Sequence, residues 1–226
     1  MTVQGYHTRE LVAHDHRCCG RRVQSAECRL EWRPLERAAP RGDGPLPSYV
    51  ALLRGINVNG QRMIPMANLR EMAAALGYDR VETYIQTGNL LFESPMGPDE
   101  VRHQLEHAIM ATFGFEVAVA VRSPEDIARA HADCPYQPGE GEVVYVAFSV
   151  TPPETARLAA AAGGPDCGDL FTVTPTEVYI LYRHGVHASA LSNAYFERVL
   201  GVPMTSRNLR TLAKLADLAA RRALSG

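Results

Sequence analysis

The sequence predicts an α+β protein in which a strand, helix, strand, strand, helix, strand order occurs twice and a helix closes the chain. Three observations predict it. Short β-rich runs alternate with helical periods, the order recurs in the second half, and turn signals fall between the two middle strands of each round. Composition agrees: of 226 residues 46% are hydrophobic and 21% charged, with a net charge of −2. That balance excludes a polybasic nucleic-acid binder, a disordered tail and a fibrous chain.

The elements follow in order from Tyr49. Tyr49 to Asn57 is a short apolar run ending in a polar loop, as a strand requires; Met66, Leu69, Met72, Ala73 and Leu76 then recur at helical spacing after Pro65, and Gly77 ends that helix. Val81 to Thr87 and Leu90 to Ser94 read as two strands around Gly88-Asn89, a tight hairpin signal. Val101, Leu105, Ile109 and Phe113 mark a second helix closed by Gly114, and Val117, Val119 and Val121 alternate as a fourth strand. This is the ferredoxin-like order.

The second half repeats it. Ser123-Pro124-Glu125-Asp126 caps a connecting helix to about Asp133, and Val143 to Val150 is a strand. Thr151 to Glu154 has the spacing of a capping box and is expected to open an alanine-rich helix that stops at Gly163-Gly164. Asp169 to Thr174 and Val178 to Tyr182 suggest a hairpin, Leu191 to Leu200 a helix and Pro203 to Ser206 a last strand, before a helix with Leu209, Leu212, Leu215 and Leu218. The chain is therefore expected to hold two tandem ferredoxin-like (βαββαβ) units, over residues 48–122 and 123–226, with a C-terminal helix. Residues 1–47 are expected to be a poorly ordered arm and linker. They carry eight arginines and six acids, no sustained apolar period, and a Pro- and Gly-rich end from Ala39 to Pro47.

No run approaches the roughly 18 apolar residues of a membrane helix, and the first thirty residues lack a signal peptide's apolar core, so a cytoplasmic location is expected. Five cysteines, an odd number, suggest reduced thiols. His14, His16, Cys18, Cys19 and Cys28 are metal-capable, but no second ligand pair follows Cys28 and no metal is expected. His184 and His187 likewise lack a clear third ligand, and His103 and His107 sit on a polar helical face.

Topology locates the best candidate site. In the β-α-β-β-α-β order the loop after the first strand and the hairpin between the second and third lie at one end of the sheet. They are Arg54 to Arg62 and Gln86 to Asn89, which brings Arg54, Asn57, Asn59, Arg62, Gln86 and Asn89 to one pole. Glycine and asparagine tolerate positive φ, so these bends can be no more than well-made turns. Turns do not require two arginines, however, and no acid occurs from Arg54 through Arg70. Guanidinium forks beside glycines and a helix start suit a phosphate or carboxylate. Neither a Walker A nor a dinucleotide fingerprint is present, and no cofactor is expected. Near the end of the chain, Arg207 and Asn208 precede the last helix: they form either an anion seat or a plain helix cap.

Tyr49 to Gly60, Ile64-Pro65-Met66, Thr83 to Asn89 and Thr205 to Asn208 resemble the bacterial family catalogued as domain of unknown function 1697, over about residues 48 to 220. The resemblance implies a two-part α+β protein related to ferredoxin-like folds, without a settled activity. The chain departs from the family pattern at Asn59, Ala190 and Leu209-Arg210. The expected function is a binding module for a small anionic ligand or a nucleotide at the pole. An enzyme using the same pole, and a weak nucleic-acid or protein interaction module, are the alternatives.

Overall fold

The computed structural model describes residues 45–165, 167–186 and 189–224. The expected metal-capable cluster and most of the N-terminal arm lie outside them, as does His187. The first half runs β1 (Ser48–Leu53), α1 (Met66–Ala75), β2 (Asp79–Tyr84), β3 (Asn89–Glu93), α2 (Pro98–Phe113) and β4 (Val119–Arg122). A connecting α3 (Pro124–Ala132) leads to β5 (Val143–Ser149), α4 (Thr155–Ala162), β6 (Leu170–Val173), β7 (Glu177–Tyr182), α5 (Asn193–Leu200), β8 (Met204–Asn208) and α6 (Leu209–Leu224). The strands form two four-stranded sheets, ordered β2-β3-β1-β4 and β6-β7-β5-β8, and every adjacent pair is antiparallel. The fold is α+β.

Local chemistry explains most boundaries. Ser123 Oγ accepts from Asp126 N at 3.1 Å while Asp126 Oδ2 accepts from Ser123 N at 3.2 Å, a complete capping box that starts α3. Gly114 and Gly201 end α2 and α5 in the left-handed region, at φ 79° and 73°. The expected capping box at Thr151 is absent. Glu154 is the residue before α4 and makes no side-chain cap, because Pro152 and Pro153 hold their predecessors extended. The hairpin also differs from expectation: Tyr84 pairs with Asn89 across a four-residue turn, Ile85 to Gly88, so Asn89 opens β3 rather than forming the tip.

Three apolar clusters hold these layers. One face of the first sheet packs Leu53, Leu90 and Phe92 against Leu69 of α1 and Leu105 and Ile109 of α2. The outer face of the second sheet does the same with Ile180, Phe196 and Leu200. Between the sheets, Val50, Leu52 and Leu91 meet Val146, Phe148 and Tyr179 together with Ile127 of α3 and Leu212 and Leu215 of α6. Both sheets are thus apolar on both faces, which is why their central strands read as continuous hydrophobic runs. The last turn of α6 docks on edge strand β2: Arg222 donates to the Arg80 carbonyl beside an irregularity between Asp79 and Glu82.

Candidate functional site

β1 ends at Leu53, whose N–H donates to the Gly88 carbonyl at 2.9 Å and so sets the β1 end against the hairpin turn. Beyond it the chain makes a small finger. Asn57 N donates to Arg62 O at 3.2 Å and Gln61 N to Val58 O at 3.0 Å, with Asn59 and Gly60 at φ 50° and 72°. Two central residues with positive φ are the type I′ pattern, which is why Asn-Gly stands at the tip. Buried Ile56 and Ile64 anchor the finger's base. Gly88 is required where it is: at φ 79° a Cβ there would lie 2.7 Å from Ile56 Cδ1 and 2.8 Å from Leu53 Cβ.

The two bends meet through Asn57. Its Oδ1 accepts from Ile64 N at 2.7 Å, and its Nδ2 donates to Ile64 O at 2.9 Å and to Gln86 O at 2.8 Å. That amide fastens one bend to the other and has little left for a guest. Asn89 is also engaged: fully buried, it donates to Tyr84 O at 2.9 Å and Thr87 Oγ1 at 3.2 Å. Asn59 and Gln86 are exposed.

The arginines divide. Arg54 is bound bidentately by Glu197 of α5, at 2.5 Å and 2.7 Å, so its counter-ion arrives from the second half although the neighbouring sequence has none. Arg62 is exposed, held at φ 48°, and its guanidinium has no hydrogen-bond or ion-pair partner among the described residues. It lies near Gly55, where a Cβ would stand 3.9 Å from its Nη1.

Arg207 corrects the expectation of a second anion seat. It points inward from β8 and is only 6% exposed. Nε donates to Asn89 Oδ1 at 2.5 Å, Nη1 to Thr205 Oγ1 and Ser206 O, and Nη2 to the carbonyls of Leu53, Thr87 and Gly88 at 3.0–3.1 Å. None of these acceptors carries a charge. Burial pulls the guanidinium down to about 10, which leaves it charged at neutral pH. Asn208 is a helix cap, its Oδ1 accepting from Thr211 N at 2.7 Å. The pole therefore carries the guanidinium groups of Arg54, Arg62 and buried Arg207, and Glu197 pairs with the first of them.

Sequence reasoning missed the pole's apolar side. Val58, Met63 and Ile85 are 50%, 59% and 44% exposed there. Ile85 also adopts φ 49°, a region that a β-branched residue enters only under strain. Two clefts lie elsewhere. One of about 430 Å³ is lined by His131, Glu142, Asn208 and Arg210, and another of about 380 Å³ by Asp133, Thr174, Thr176, Glu177 and Tyr179. Among the described residues no cluster of three or more His, Cys, Asp or Glu could hold a metal, and no helix is long and apolar enough to cross a membrane.

Comparison with solved structures finds a similar fold in "conserved bacterial protein SP0830 from Streptococcus pneumoniae", at a TM-score of 0.60 and 22% identity, over 77% of this chain and 99% of that one. Comparison with curated proteins returns no match. The profile described as "Protein of unknown function (DUF1697)" matches residues 46–179, more than half of the chain. With that match the Arg-Gly-Ile-Asn-Val block and its hairpin partner are accounted for, and the chain belongs to the DUF1697 family.

Proposed function

We propose that this protein is a binding module for a small phosphate-bearing ligand, a nucleotide being the best fit, taken at the pole formed by the Arg54–Arg62 finger and the Gln86–Asn89 turn. The observation that carries this reading is the exposed Arg62 guanidinium, without a hydrogen-bond or ion-pair partner among the described residues, on a pole that also holds Arg54 and Arg207. Arg62 pairs with the phosphate, and the Asn59 and Gln86 side chains fix its orientation. Arg54 and Asn57 act one step back, by shaping the pole, and Arg207 adds long-range positive charge from beneath it. Exposed Val58, Met63 and Ile85 cover the apolar part of the ligand, a role that accounts for large side chains left in water beside a cation. The scaffold under this reading is a pair of ferredoxin-like units, residues 48–122 and the stretch from residue 123, since each half has the same element order and the same strand order.

The experiment is a thermal-shift and calorimetric panel of AMP, ATP and inorganic phosphate, run on the native chain and on Arg62→Glu. A ligand that binds the native state raises Tm with concentration. ATP or AMP should stabilise the native chain, and Arg62→Glu should abolish that gain while leaving the ligand-free Tm nearly unchanged. Absence of stabilisation by every anion in the panel, or its survival in Arg62→Glu, refutes the proposal.

A further inference from the structure

Two arginines occupy matching stations in the two sheets. On β4, Arg122 pairs in register with Val50, and two residues along β1 Leu52 faces Asn89, the first residue of β3. On β8, Arg207 pairs with Val146, and two residues along β5 Phe148 faces Glu177, the first residue of β7. Each guanidinium leaves its own sheet and closes on the other. Arg207 Nη2 donates to Leu53 O and Gly88 O, while Arg122 Nη2 donates to Ser149 O at 2.6 Å and Thr176 O at 3.5 Å. Leu53 and Ser149 are themselves counterparts: Leu53 N donates to Gly88 O at 2.9 Å and Ser149 N to Thr176 O at 3.0 Å. The two halves therefore meet through a reciprocal contact, of the kind a twofold dimer makes, within one chain.

The two clasps are not equally complete. At the first, Arg207 Nε reaches Asn89 Oδ1 at 2.5 Å and all three guanidinium nitrogens are engaged. At the second, the longer Glu177 side chain folds back so that Oε2 accepts from the hydroxyls of Thr176 at 2.6 Å and Thr174 at 3.2 Å. Its Oε1 is left buried without a hydrogen bond, 3.8 Å from Arg122 Nε, which is also buried and unbonded. The two form an ion pair at that distance but no hydrogen bond, and a buried ion pair without hydrogen bonds does not fully offset the desolvation of its two charges. The cleft lined by Thr174, Thr176, Glu177 and Tyr179 undercuts the same end.

We propose that the Arg122–Glu177 clasp is a built-in opening point between the two sheets, and that the Arg207–Asn89 clasp is the hinge about which they part. Opening there releases Ser149 and Thr176 from Arg122 and bares the Phe148 ring, over which the Arg122 guanidinium sits at 5.5 Å.

Native-state hydrogen exchange on the full chain tests this through matched amides. Ser149 N and Val150 N bond to Thr176 O and Pro203 O at one end, as Leu53 N and Arg54 N bond to Gly88 O and Ala118 O at the other. After correction for intrinsic rates, Ser149 and Val150 should exchange at least about tenfold faster than Leu53 and Arg54. Glu177→Asn supplies the acceptor that the first sheet uses, and should slow exchange at Ser149 and Val150 while leaving Leu53 and Arg54 unchanged. Equal protection at the two ends of the native chain, or greater protection at Ser149, overturns the proposal even if the variant does not fold. Faster exchange at Ser149 in a folded Glu177→Asn protein overturns it as well.

Discussion

Glu197 holds Arg54 through both carboxylate oxygens, and its Oε1 also accepts from Met204 N at 2.8 Å, so one side chain on α5 joins the end of β1 to the start of β8. The arginine side chain is 34% exposed, so solvent screening keeps the pair to about 1 kcal/mol. Glu197→Gln should lower stability by roughly that amount in urea unfolding. Because it also removes the carboxylate that pairs with Arg54, it should tighten ATP binding in calorimetry, most clearly at low salt. Weaker ATP binding in Glu197→Gln would count against a phosphate site at this pole.

Arg207→Lys keeps the charge but offers three donors from a single nitrogen in place of a planar fork. The carbonyls of Leu53, Thr87 and Gly88, Asn89 Oδ1 and the Thr205 hydroxyl cannot all be served. A loss of about 3 kcal/mol is expected, since several buried acceptors go without partners. Chemical denaturation measures it, and a loss below about 1 kcal/mol would show that the clasp is not what holds the turn.

Ile85 is exposed at φ 49°, where a β-branched side chain carries about 1–2 kcal/mol of strain. Ile85→Asn should relieve most of it and raise Tm. The same change removes part of the pole's apolar surface, so nucleotide affinity should fall as stability rises. A simultaneous fall in both would mean that Ile85 packs where the structure leaves it exposed.

Alkaline unfolding provides a prediction with a definite sign. Burial, with the charges of Glu177 and Asp133 adding to it, pushes the Tyr179 hydroxyl up to about 12 from its ordinary 10, and burial raises Tyr78 and Tyr182 as well. These groups stay neutral in the folded chain and ionise more readily in the unfolded one. Their contribution is complete below pH 10 and is lost as pH climbs toward 12. Absorbance at 295 nm should show a late tyrosine fraction that titrates only as the circular dichroism signal collapses. Titration of all nine tyrosines with the dichroism intact would contradict it.

Much of the architecture was legible in the sequence because it depends on short-range chemistry. The helical spacing of Leu69 and Met72, the Ser123–Asp126 box and the glycines after α2 and α5 act within one turn of the residues they organise. The turn lies two residues earlier than the Gly88-Asn89 signal places it, since Ile85 enters the left-handed region against the preference of a β-branched side chain. The site was harder to read. The absence of acids near Arg54 was real along the chain and irrelevant in space, because Glu197 approaches from α5. Arg207 looked like a surface residue between Ser206 and Asn208, yet β8 lies against the first sheet, which buries its side chain. The Asn57 amide, of a type that suits a ligand contact, joins the two bends instead.

The docking of α6 on both sheets has a consequence for biosynthesis. Val50, Leu52 and Leu91 emerge from the ribosome long before Leu212, Leu215 and Ala219, the residues that share their cluster. At about 5–20 residues per second, this greasy face of the first sheet stays wet for on the order of ten seconds of translation. During that interval the nascent chain is a client for chaperones and prone to stick to its neighbours, and rare codons placed before α6 would lengthen the exposure.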